Sequence, residues 1–356
     1  MKNKLILTFL LAVGFLQAQE NKVLTLKDAI TFAFDTTYFA KYKKDLESNV
    51  EHMNKNRLNL LENWFTNIMK TEKRNDTLLA FYPFSGGDFL HFYHVFPKAT
   101  NYVMMAIEPV GSLPDFESMS VEKKNEYLAN LNFTLRDIFK RSYFITKNMN
   151  SDINKDQIIS GMLPPILWAV GITGHEIIDI LDAEIDSTGN ITNSAINGNA
   201  HKFKKGVTIV FRNNTDQKEK RVSYFAYDIS DEGLTKNEPL KLYLDKMPSY
   251  NSFLKAASYL AHYNSFSIIR NNLLDKSANL LQDDTGIPYK HFAKNTFDAQ
   301  LYGLYTQPVN DFSKNLFQKD LEEAYNDSTI YCGKLPFSMG YHWGTKYQNQ
   351  MVFMRK

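Results

Sequence analysis

The chain has 356 residues, 41 basic against 39 acidic, one cysteine and 44% hydrophobic side chains. A net charge of +2 spread along the sequence offers no basic stripe for a phosphate backbone, so nucleic acid is excluded as the expected partner. The lone thiol, Cys332, cannot make an intramolecular disulfide, and a chain of this length must hold itself together with a core.

The N terminus reads Met1-Lys2-Asn3-Lys4, an apolar run from Leu5 to Leu16, then Gln17-Ala18-Gln19. A basic start, a short apolar stretch and a small residue at the break have the form of a secretory signal, here residues 1–18 with cleavage after Ala18. The run is shorter than the ~20 residues a helix needs to cross a bilayer, and no later apolar segment reaches that length. No cysteine follows the leader to take a lipid. The expected location is therefore the periplasm or the medium, without a transmembrane span.

From Thr25 to Lys70 the sequence reads as helix, with Leu26, Ala29, Ile30, Ala33 and Phe34 on one stripe. After Asp35-Thr36-Thr37 a second stripe runs through Phe39, Tyr42, Leu46, Val50, Met53, Arg57, Leu60, Trp64 and Ile68. The character changes near residue 76. Leu78 to Phe84 and Tyr102 to Val110 are near-continuous apolar runs, as expected of strands covered on both faces. Segments 120–146 and 154–170 read as helices, the second kinked at Pro164-Pro165. His175 to Asp186, Val207 to Phe211 and Arg221 to Ile229 read as strands of an antiparallel insertion at about 174–230. Ser252–Asn264 and Ser265–Lys276 read as helices, Ala278–Gln282 and Leu301–Thr306 as strands, Asp311–Tyr325 as helix, and Met351–Met354 as a final edge strand. The organisation that follows is a helical segment at 19–75 and an α/β domain at 76–356.

Chemistry concentrates in few places. The run Phe84-Ser85-Gly86-Gly87-Asp88 ends a strand in a glycine-rich turn, where backbone N–H groups can approach a ligand. Asp88, His91 and His94 carry ligand types suited to zinc, although their spacing drifts around a helix. Asp283 and Asp284 open a turn bent at Gly286 and ended by Pro288. Asp284-Thr285-Gly286 has the letters of the aspartic-protease triplet, but that chemistry needs two copies and only one is present. His175-Glu176 lacks the second histidine of a zinc-protease helix, and there is no Gly-x-Ser-x-Gly elbow. Tyr341-His342-Trp343-Gly344 reads as a buried aromatic cluster.

Glu108, at the end of the second apolar strand, lies 21 residues beyond Gly87. This strand–glycine–helix–strand–acid layout is similar to the first half of a Rossmann-like nucleotide site, including that of class I methyltransferases, without a complete G-x-G-x-x-G. The stretches Phe81 to Leu90, Ile107 to Gly111 and Leu281 to Tyr289 resemble those of a family of exported bacterial proteins of unknown function. The leader ending Leu16-Gln17-Ala18-Gln19 is similar to those of Bacteroidetes proteins. These resemblances bring no catalytic residue or cofactor with them.

The expectation is an α/β protein: a mixed, Rossmann-like sheet with helices on both faces, an N-terminal helical segment and an antiparallel β insertion. Ser85, Gly86, Gly87, Asp88, Glu108, Asp283 and Asp284 are expected to share one ligand-binding edge at the C-terminal ends of the strands. The ligand is a small molecule or an envelope component. Two rival readings are a metal-assisted hydrolase using Asp88, His91 and His94, and a methyltransferase-like scaffold without an active cofactor site.

Overall fold

The computed structural model describes residues 40–72, 78–115, 118–143, 160–196, 201–213, 217–255, 257–308 and 316–356. The leader at 1–18, the stripe from Leu26 to Phe34 and Phe39 lie outside the described residues. Helix α1 (Ala40–Met53) passes through a π-helical turn, Asn54–Leu58, into α2 (Asn59–Thr71). The extra residue in that wider turn rotates the buried face. Below it the face is Leu58, Leu61, Phe65, Ile68 and Met69, and Leu60 and Trp64 of the expected stripe are only half-buried.

The sheet then begins. In chain order come β1 (Leu79–Pro83), α3 (Phe89–Val95), β2 (Asn101–Ala106), β3 (Ser112–Leu113), α4 (Val121–Arg141) and α5 (Leu163–Ile172). Next are β4 (His175–Ile185), β5 (Ile191–Ala195), β6 (His201–Lys202), β7 (Gly206–Asn213) and β8 (Glu219–Ala226). Helices α6 (Asp231–Lys236) and α7 (Glu238–Lys246) lead to β9 (Tyr250–Leu254), α8 (Ser267–Lys276) and β10 (Ser277–Gln282). The chain closes with β11 (Phe297–Gly303), α9 (Lys319–Asn326), β12 (Tyr331–Gly333) and β13 (Asn349–Arg355).

Among the described residues, eleven strands form one mixed sheet in the order β12-β11-β13-β10-β9-β1-β2-β8-β7-β4-β5. Its centre, β10-β9-β1-β2-β8, is wholly parallel, with Leu79 opposite Asn101 and Asn101 opposite Arg221. β7, β4 and β5 extend one side antiparallel, and β13 runs antiparallel between β10 and β11 on the other. β3 and β6 make a separate two-stranded ladder. One core packs Tyr82, Met104 and Phe253 of the sheet against Leu61, Phe92, Leu135 and Ile166 from the helices before β4. The other packs Phe81, Met105 and Leu280 against Leu244, Leu273 and Leu321 from α7, α8 and α9. Helices therefore cover both faces, and the expected α/β class is met.

Several elements differ from expectation. The 174–230 stretch does not stand apart: its last strand, β8, pairs in parallel with β2 inside the main sheet. Pro164 and Pro165 open α5 rather than kink a helix, since proline in the first turn loses no intrahelical bond. Residues 250–254 are strand, not helix; all five are buried between β1 and β10, so polar Asn251 and Ser252 lie inside and no alternation marks the strand. The C-terminal strand is central rather than an edge, with β10 and β11 on either side.

Candidate functional site

From β1 the chain moves to β2 and β8 on one side, then returns to β9 and β10 on the other. The loops after β1 and β9 therefore diverge, which leaves a crevice at the carboxyl ends of the parallel strands. A cavity of about 710 Å³ opens there. That size lies within the roughly 300–1,000 Å³ of small-ligand sites.

Ser85 and Gly86 of the glycine-rich turn line this cavity, as do Asp88 and Glu108. Phe84 begins the turn with φ of 61°, a left-handed conformation rare outside glycine, and Gly86 follows at 51°. Strain of this kind persists only where surroundings enforce it. Here Ser85 N donates to Met105 O of β2 at 3.0 Å, and its Oγ bonds the same carbonyl at 3.3 Å. Gly87 is absent from the lining; its carbonyl accepts from Phe89 N and turns the chain into α3.

Asp88 caps α3, accepting from His91 N at 3.4 Å, and its Oδ1 also lies 2.7 Å from His91 Nδ1. Its Oδ2 meets the ammonium of Lys255, the residue after β9, which also donates to Ser142 O. Burial pushes the Asp88 carboxyl up, but His91 and Lys255 outweigh it and hold the group below the usual carboxylate range. Burial lowers Lys255 against the pull of Asp88, and drives His91 down to about 3, so the imidazole is neutral.

Glu108 sits half-buried, and loss of water raises its carboxyl. Its carbonyl accepts from Tyr224 OH at 2.7 Å, which fixes the loop after β2. Asp228, from the loop after β8, lines the same wall and accepts from Ser230 N at 2.9 Å. Phe84 and Phe266, 5.6 Å apart and edge-to-face, supply apolar cover with Ile229. Tyr82, Lys255, Tyr143 and Tyr341 also line the cavity, and Tyr82 packs into the core on the sheet face opposite Phe84 and Ile229.

Asp283 and Asp284 do not line the cavity; they are buried behind Lys255. Asp283 Oδ1 accepts from Thr285 N at 3.0 Å, and its Oδ2 has no hydrogen-bond partner among the described residues. Burial and then the neighbouring Asp284 raise Asp283 to about 6. Asp284 Oδ1 is held by His342 Nε2 and Asn349 Nδ2, each at 3.0 Å. The acidic pair thus braces the β10 and β13 ends, while Ser85, Asp88 and Glu108 share one crevice.

The metal-ligand candidates do not converge. His91 is fully buried against Asp88, whereas His94 Nδ1 lies 2.7 Å from Glu62 of α2. Among the described residues no group of three His, Cys, Asp or Glu side chains is placed to hold a metal ion. Sequence reasoning missed Lys255, because the helix expected over 252–264 hid a cation closing a strand. It also missed Asp228, whose signal is an acid directly after an apolar strand, as at Glu108. Among the described residues no helix is long and apolar enough to cross a membrane. No family model, curated protein or solved structure matches this chain.

Proposed function

We propose that this protein binds a nucleoside-class small molecule in the cavity at the carboxyl ends of β1, β2 and β8. The observation that carries this reading is the pairing of two acceptor-only side chains, Glu108 and Asp228, with the apolar wall of Phe84, Ile229 and Phe266. Carboxylates at those positions favour a ligand that donates, through sugar hydroxyls and an exocyclic amino group, and disfavour phosphate beside them. A flat base suits the apolar wall. An acid two residues after the second parallel strand is where Rossmann-like sites bind ribose.

Strand order supports the Rossmann-like reading. Counted along the chain, the central block runs third, second, first, fourth, fifth. The reversed β13 between β10 and β11 adds a likeness to class I methyltransferases, the group that the Ser85–Asp88 and Glu108 layout resembles. Export to the envelope stays part of the proposal on the strength of residues 1–18 alone. A metal-assisted hydrolase is not favoured, because His91 and His94 diverge.

Titration calorimetry with adenosine tests the reading. Saturable one-to-one binding is expected, weakened about tenfold or more by Glu108→Gln and by Asp228→Asn, as for loss of a charged hydrogen-bond acceptor. Absence of adenosine binding, or binding that neither substitution alters, contradicts it.

A further inference from the structure

We propose that the opposite wall of the cavity is a second subsite, built for a neutral phenolic ring. The inference rests on reading the cavity as a ligand site, but uses different residues from the nucleoside wall. The two walls belong to opposite faces of the sheet: Phe84 and Ile229 pack into the core beside α7 and α8, whereas Tyr82 packs into the core beside α3 and α4. A ligand held by Glu108 and Asp228 therefore leaves the Tyr82 side for a different molecule.

That side is a corner of aromatic rings around one cation. Tyr143 and Tyr341 meet at 4.6 Å between centroids, tilted 57°, and both line the cavity. Such a corner takes a third ring by edge and face contacts. Lys255 stands at its base, 1% exposed, with its own carbonyl accepting from Tyr82 OH at 3.2 Å. An ammonium carries three N–H donors. Ser142 O and Asp88 engage two of them; the third makes no hydrogen bond among the described residues, the ammonium otherwise lying 5.9 Å from the Phe253 ring centre. A ligand oxygen completes the set. That oxygen is uncharged, because the carboxylates of Asp88 and Asp283 already balance the cations of Lys255 and the nearby Arg57. One cationic donor amid ring faces matches a ring with a single hydroxyl better than a polyhydroxylated sugar.

The test is calorimetry on the full mature protein with 4-methylphenol, toluene, 4-hydroxybenzoate and adenosine as probes. 4-Methylphenol is expected to bind more tightly than either toluene or 4-hydroxybenzoate, and to bind equally well when adenosine is saturating. Tyr341→Ala is expected to weaken it about three- to tenfold, and Lys255→Met to erase its advantage over toluene. Equal binding of toluene, tighter binding of the benzoate, or competition with adenosine overturns the subsite, and none of these comparisons needs a variant. If 4-methylphenol binds in a Tyr341-dependent way and adenosine does not bind, the nucleoside reading falls and the subsite stands.

Discussion

The carboxylate of Asp88 meets the ammonium of Lys255 across the ends of two neighbouring parallel strands, with the two side chains 3% and 1% exposed. Asp88 follows β1 and Lys255 follows β9, so the pair stitches together the two loops that diverge at the reversal of strand order. Removing two charges from water costs about as much as their attraction returns. The pair is therefore better understood as fixing geometry than as adding stability.

Lys255→Met leaves Asp88 buried and uncompensated, and is expected to cost about 3–5 kcal/mol. The double variant Asp88→Leu/Lys255→Met is expected to recover most of that loss while loosening α3 by the value of its cap, about 1 kcal/mol. Urea unfolding of the three proteins checks both statements.

Asp283 makes stability fall as pH rises. Its carboxyl is lifted from 3.8 to about 6 in the folded protein, so the fold favours the protonated form. That contribution is fully present below the unfolded value and is lost as pH climbs through about 6. His342 acts with the same sign, since burial lowers it but its bond to Asp284 more than compensates. Asp283→Asn is expected to stabilise the protein at pH 8 by about 2 kcal/mol and to have little effect near pH 4. Chemical unfolding of both proteins across that range provides the comparison.

Gly340 has φ of 78°, and a Cβ added to it would stand 2.4 Å from Asp283 Oδ2. Its N–H also donates to Ser142 Oγ at 2.8 Å, beside the carbonyl that receives Lys255. Gly340→Ala is expected to cost about 1–3 kcal/mol, because both the backbone conformation and the close approach resist it. Differential scanning calorimetry reads the loss.

Arg57 reaches the same region from the N-terminal helices. Its Nε donates to Ser338 O at 3.1 Å and its Nη1 to Ile138 O at 3.0 Å, so one guanidinium ties α4 to the loop carrying Tyr341. Arg57→Lys cannot span both acceptors in that fork geometry and is expected to cost about 1–3 kcal/mol. Thermal unfolding tests this, with a matched change at exposed Arg221 as control.

Much of this architecture can be read from residue patterns, for physical reasons that differ by element. β1 and β2 are legible because strands covered on both faces must be apolar almost throughout, and their parallel pairing follows from the helix between them. Glu108 is legible for the same reason, as an acid ending such a run. β9 is not, since Tyr250-Asn251-Ser252-Phe253-Leu254 mixes polar and apolar residues in a fully buried strand, and the Asn251 side chain accepts from Asn279 of β10, a residue 28 positions away. Misreading it as helix hid Lys255. Asp283 and Asp284 are recognisable as a turn, but nothing local reveals that His342 and Asn349, far along the chain, enclose Asp284.

On the proposed function, Glu108 and Asp228 with Phe84, Ile229 and Phe266 receive a nucleoside. A crystal of the protein soaked with adenosine is the test. Density for the sugar is expected within hydrogen-bond distance of the Glu108 carboxylate, with the base against the Phe84–Phe266 pair. An empty cavity at saturating adenosine, or a ligand bound elsewhere on the molecule, would contradict it.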